Sequence, residues 1–133
     1  MMMADLIAHL RAEPAVADLV GHRVTPVTRY EETLPAVVVT QVSGLTVLTM
    51  AGLDSMKRSR VQVDCWGTTW TSAKQVAEAV ESTINGECGV TWGDTLFGEV
   101  HLQTIRDTRE TGSNRPDYLF RTMLDFHVWH RGA

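Results

Sequence analysis

Asp125, His127 and His130 lie together near the end of the chain. A carboxylate with two imidazoles is a donor set that can hold a divalent metal or move a proton. The spacing argues against both uses. Residues three apart on a strand point to opposite sides, so His127 and His130 do not converge on one ion. Asp125 and His127 share a side, but two ligands fall short of a site. Cys65 offers a nucleophile in combination with any of the five histidines. It falls on the apolar side of an alternating segment, where a thiol stays protonated and inert. No Gly-x-Ser-x-Gly turn presents a serine. Gly86, Gly89, Gly93 and Gly98 spell neither a phosphate loop nor a dinucleotide fingerprint, and turn chemistry accounts for them better. A small hydrolase using Asp125, His127 or Cys65 is the enzymatic alternative that remains. The expectation is no catalytic residue, no metal and no cofactor.

The run Lys57-Arg58-Ser59-Arg60 could touch phosphate. On an alternating strand, however, Arg58 and Arg60 share a side with Gln62 and Asp64, which reads as a solvated or interface face. Sixteen acidic against twelve basic residues give a net charge of −4, so the whole chain is not an electrostatic DNA binder. Trp66, Trp70, Trp92 and Trp129 could stack on bases; packing in a core or between subunits is the plainer reading.

The elements that must position these residues follow from periodicity. Leu6, Ile7 and Leu10 predict a helix over 4–12. Pro14 stops it or starts a second short helical turn through Leu19 and Val20, which Gly21 ends. Residues 36–42 are nearly all β-branched and predict a strand covered on both sides. Residues 44–56 are apolar but broken by glycines, and predict an extended arm leaving the core. Residues 57–66 alternate, with Val61, Val63 and Cys65 on one side. Thr71 or Ser72 caps a helix running to Asn85, with Ala73, Val76, Ala77, Val80 and Ile84 as its apolar stripe and Gly86 as its C-terminal stop. Residues 88–98 predict a short strand and turn. Residues 99–109 and 118–130 predict a long hairpin around the turn cluster 111–117. The sum is an α+β fold: an antiparallel β-sheet with helices packed on one face, in a two-layer single domain over 1–133. Its protrusions are the arm at 44–56 and the hairpin turn at 108–117.

A chain of 133 residues can bury a core without disulfides, and two cysteines without a secretory leader suggest reduced thiols. The N-terminal Met-Met-Met-Ala-Asp-Leu lacks the charge and apolar run of such a leader. No stretch approaches 18 consecutive apolar residues.

Five segments, in order, carry a family resemblance. They are Leu19-Val20-Gly21-His22-Arg23-Val24, Leu34-Pro35-Ala36-Val37-Val38-Val39, Arg60-Val61-Gln62-Val63-Asp64-Cys65-Trp66-Gly67, the helix holding Ala73 and Ala77, and Leu124-Asp125-Phe126-His127-Val128-Trp129-His130. In combination they make the chain resemble the tail completion, or tail terminator, proteins of long-tailed phages and prophages. The resemblance covers nearly the whole chain. It implies a structural virion protein, assembled in the host cytoplasm, that forms a ring, commonly a hexamer, on the head-proximal end of the tail tube. Its implied partners are copies of itself, the major tail tube protein and a head–tail connector protein, with DNA passing through the lumen and no membrane. Another joining ring of the head–tail neck is the near alternative. Candidate interface residues are Leu48, Met50 and Leu53 in the arm; Arg58, Arg60, Gln62 and Asp64 on the polar strand face; and Arg109, Glu110 and Arg115 around the hairpin turn.

Overall fold

Two short helices open the chain. In α1 (Met2–Ala12), helical spacing puts Leu6, Ile7 and Leu10 on one buried side. Met2 is buried with them, so the helix begins before the predicted residue 4. Pro14 starts α2 (Pro14–Val20) at a position where no N–H donor is required. The computed structural model describes residues 1–28, 33–49, 52–111 and 118–132; for 45–49, 52–56, 111, 118 and 132 the description is of the backbone alone.

After the short strand β1 (Val24–Pro26), β2 (Ala36–Thr49) and β3 (Gly52–Gly67) form a long hairpin. Helix α3 (Trp70–Ile84) follows, then β4 (Cys88–Trp92), β5 (Thr95–Thr111) and β6 (Tyr118–Gly132). The six strands form one sheet in the order β1-β2-β3-β6-β5-β4. The architecture is α+β, as expected, but the sheet is mixed: β1 runs parallel to β2, pairing Val24 with Val37 and Pro26 with Val39. A parallel pair needs the chain to travel back before the second strand begins.

Thr69, not Thr71 or Ser72, caps α3: its Oγ1 accepts from the Ser72 N–H at 3.1 Å. Gly86, just past the end of α3, has φ +82°, a conformation that favours glycine.

Strand alternation and register build the core. Val37, Val39, Val61, Val63, Cys65, Leu124, Phe126, Val128 and Val100 form a single apolar cluster with the stripes of α1, α2 and α3. The ladders also fix where the hairpins end. The β3–β6 ladder stops at Lys57↔His130, while β2 and β3 continue together to Thr49↔Gly52. At the opposite end that ladder stops at Gly67↔Phe120, while β5 and β6 continue to Thr111↔Tyr118. The two hairpins thus extend past opposite ends of the sheet.

Candidate functional site

The sheet face away from the α1, α2 and α3 cluster carries the alternate residues of β3 and β6. Register sets Arg58 against Trp129, Arg60 against His127, Gln62 against Asp125, Asp64 against Met123 and Trp66 against Arg121. The result is a ladder of charge and aromatic contacts. Arg60 donates through Nε to both carboxylate oxygens of Asp125, at 3.0 and 2.9 Å. The Arg58 guanidinium lies 5.7 Å from the Trp129 ring centre, and that of Arg121 lies 5.0 Å from Trp66. Arg121 also pairs with Glu110 at 2.8 Å. Arg60, Gln62, Thr104, Arg106, Met123 and Asp125 line an open groove of about 410 Å³.

Gln62 donates to Asp64 at 2.9 Å. Asp64 does not lie on a solvated face as its alternation predicts. It is 7% exposed, and that burial pushes its carboxyl above the ordinary value, against the opposing effects of Gln62 and Arg121. Among the remaining predicted interface residues, Leu48 and Leu53 pair with one another in the β2–β3 ladder. Arg109 is exposed on β5. Met50 and Arg115 lie outside the described residues.

The predicted interface residues omit Arg121, Trp129 as a cation platform, and a node around Asp107. Asp107 accepts from Thr122 at 2.9 Å and from the Trp70 indole at 3.3 Å, and pairs with Lys74 at 3.2 Å. Burial raises its carboxyl, but these bonds outweigh it and hold the group below the ordinary value. The node ties the first turn of α3 to β5. The β5–β6 register pairs Thr111 with Tyr118 and Thr108 with Arg121, so the place of Arg121 on this face follows from strand alternation in that hairpin.

The candidate chemistry falls elsewhere. Asp125 is engaged by Arg60. Cys65 is fully buried in the core, which pushes its thiol far up from the ordinary value. Ser59 Oγ and His130 Nε2 stand 2.7 Å apart, a nucleophile–base distance. They are 2% and 9% exposed, and Gln41 donates its amide to Ser59 Oγ at 3.2 Å, whereas a triad would set a carboxylate on the imidazole. No group of three or more metal-ligating side chains occurs among the described residues. Trp92 stacks on His9 at 3.9 Å and packs against the core, whereas Trp70 is 52% exposed. No helix among the described residues is long and apolar enough to cross a membrane.

This arrangement suits contact rather than turnover: ion pairs, cations over aromatic rings and two hairpins that extend past opposite ends of one sheet. A comparison with curated proteins finds no match. Among solved structures, the chain is similar to one from the virion of a native gene transfer agent particle. The TM-score is 0.78 at 18% identity, covering 98% of this chain and 95% of that one, which establishes a shared fold. The family model described as tail completion protein gp17 matches residues 4–131. The chain belongs to the tail completion protein family: it is a structural phage tail protein, not an enzyme.

Proposed function

We propose that this protein is a tail terminator. Copies of it, six in number, close a ring on the head-proximal end of the tail tube, stop tube growth and present the surface that meets the head–tail connector. The observation that carries this reading is the family match across residues 4–131. Each copy acts as a single two-layer domain, with its helices on one side of the sheet. A closed head-to-tail ring needs two unlike faces on each subunit. The predicted protrusions at 44–56 and 108–117, with Arg58, Arg60 and Gln62 on the exposed ladder, are the contact regions we assign.

The dimensions and charge are in keeping with a ring. A compact chain of this length has a radius of gyration of about 14 Å, and six such bodies in a circle leave room for a duplex. The net charge of −4 suits a lumen that DNA crosses without specific binding, since a cationic channel would hold phosphate. The subunit assembles in the host cytoplasm and ends in the tail neck of the virion.

A tube-growth assay tests the reading. Tail tube protein polymerises with and without this chain, and tube lengths are measured. Amounts far below one copy per tube subunit should shorten the tubes. Unchanged lengths at all ratios would rule the terminator role out.

A further inference from the structure

Each outer edge of the sheet is only half covered. β1 pairs with β2 at Val37, Val38 and Val39; beyond them, residues 40–49 have no neighbouring strand among the described residues. On the other side β4 pairs with β5 as far as Glu99, and residues 85–87 cover Val100 and Leu102. From Thr104 to Thr111, β5 has no outer neighbour among the described residues. Backbone groups on both stretches point outward. The Val37 N–H donates to the Arg23 carbonyl at 2.9 Å and the Val39 carbonyl accepts from Val27 at 3.0 Å, so Gln41, next in the alternation, faces out. The Leu102 N–H donates to Asn85 at 2.8 Å, away from β6, and past the bulge at 103 Ile105, Asp107 and Arg109 take that orientation.

Free edges are ordinarily guarded by charge, proline or brevity. Residues 40–49 carry neither charge nor proline. Residues 104–111 carry Arg106, Asp107, Arg109 and Glu110, which cancel. Among the side chains described, Val42 on one edge and Ile105 on the other stand in water, at 47% and 45% exposure.

We propose that the 40–49 edge of β2 in one copy pairs antiparallel with the 104–111 edge of β5 in the next, so that the sheet runs continuously from copy to copy. The inference rests on the ring reading above. Within a copy β2 and β5 run in opposite directions, because the β2–β3, β3–β6 and β6–β5 pairs are all antiparallel. A neighbour related by rotation that keeps strand sense therefore offers an antiparallel partner. The two edges differ, so the contact is heterologous and can close a ring. They also lie diagonally, since Thr40, Gln62, Asp125 and Thr104 stand on one level and the free stretches extend from it in opposite directions. Aligning their middles shifts a neighbour about 25 Å along the strands, against about 19 Å across four strands. The strands then lean about 50° from the ring axis, close to the tilt of closed barrels.

Cross-linking tests the pairing. In a Cys88→Ser background, Val42→Cys copies are mixed with Arg109→Cys copies, positions that aligned middles bring within about one residue of each other, and treated with a short bismaleimide; Cys65 is buried and does not react. The expected result is a linked pair in the mixture that is absent from either variant alone, and a ladder ending at the ring size when both changes share one chain. Dimers from one variant alone would mean two-fold pairing and overturn the proposal. Rings seen by light scattering without any cross-link would overturn the edge pairing and leave the ring reading standing. A ladder without a closed size would support the pairing and overturn the ring. A second variant, Ile105→Pro, removes an outward donor that no partner among the described residues uses. It should keep the wild-type circular dichroism and lose assembly at least tenfold; wild-type assembly would overturn the proposal.

Discussion

Arg60 on β3 grips Asp125 on β6 across the exposed face of the sheet, yet the two partners are unequally placed. The Arg60 side chain is 50% exposed and that of Asp125 only 15%. Truncating Arg60 strands a mostly covered carboxylate, whereas truncating Asp125 leaves a guanidinium that water can solvate. Arg60→Ala should therefore destabilise the folded chain more than Asp125→Ala does in urea unfolding. The reverse order would mean that the contact is held by something other than desolvation of Asp125.

His130 gives the fold a dependence on pH. Burial, and secondarily Lys57, hold its imidazole below the ordinary value of 6.5, and burial does the same to His9. With the folded value depressed, the unfolded chain takes up a proton first as pH falls. Stability is complete above about 6.5 and declines as the pH drops below it. Denaturant midpoints measured from pH 7.5 to 5 should fall, and His130→Gln should flatten the slope. An unchanged slope would remove His130 from this role.

Asp64 works in the opposite sense. Its folded value is raised, so folding costs the ionised carboxylate more than the neutral carboxyl. Asp64→Asn keeps an acceptor for Gln62 and should raise the unfolding midpoint at pH 7. The difference should shrink as the pH falls through the carboxyl's own titration, because the wild-type group is then neutral too. A destabilised variant at pH 7 would show that the negative charge is needed on that face.

The cap of α3 can be read from two substitutions. Thr69→Ala removes the acceptor for the Ser72 N–H and should cost about 1 kcal/mol of unfolding free energy, whereas Thr71→Ala should cost much less. Equal losses would put the helix start later than Trp70.

Much of the fold was legible because its signals are local. The stripe of Ala73, Val76, Ala77, Val80 and Ile84 marks α3, and alternation at Val61, Val63 and Cys65 marks β3. The closing hairpin follows from two alternating runs around one turn cluster. What escaped depends on distant partners. The parallel β1–β2 pair is three residues long, too short for any periodicity, and is fixed by where the chain returns at Ala36. The cap moved from Thr71 to Thr69 because several hydroxyls stand in a row and local chemistry does not rank them. Asp64 alternates with exposed residues but is covered by neighbours across the sheet, which a single strand does not reveal. The candidate interface was half legible. Arg58 and Arg60 were found from alternation, while their partners Trp129 and Asp125 required the β3–β6 register.

Electron microscopy of tail tubes mixed with this chain puts the terminator reading to its hardest test. Ring-shaped density of one subunit layer should appear at one end of each tube and nowhere along its length. Bare ends, or density scattered along the tube walls, would contradict it.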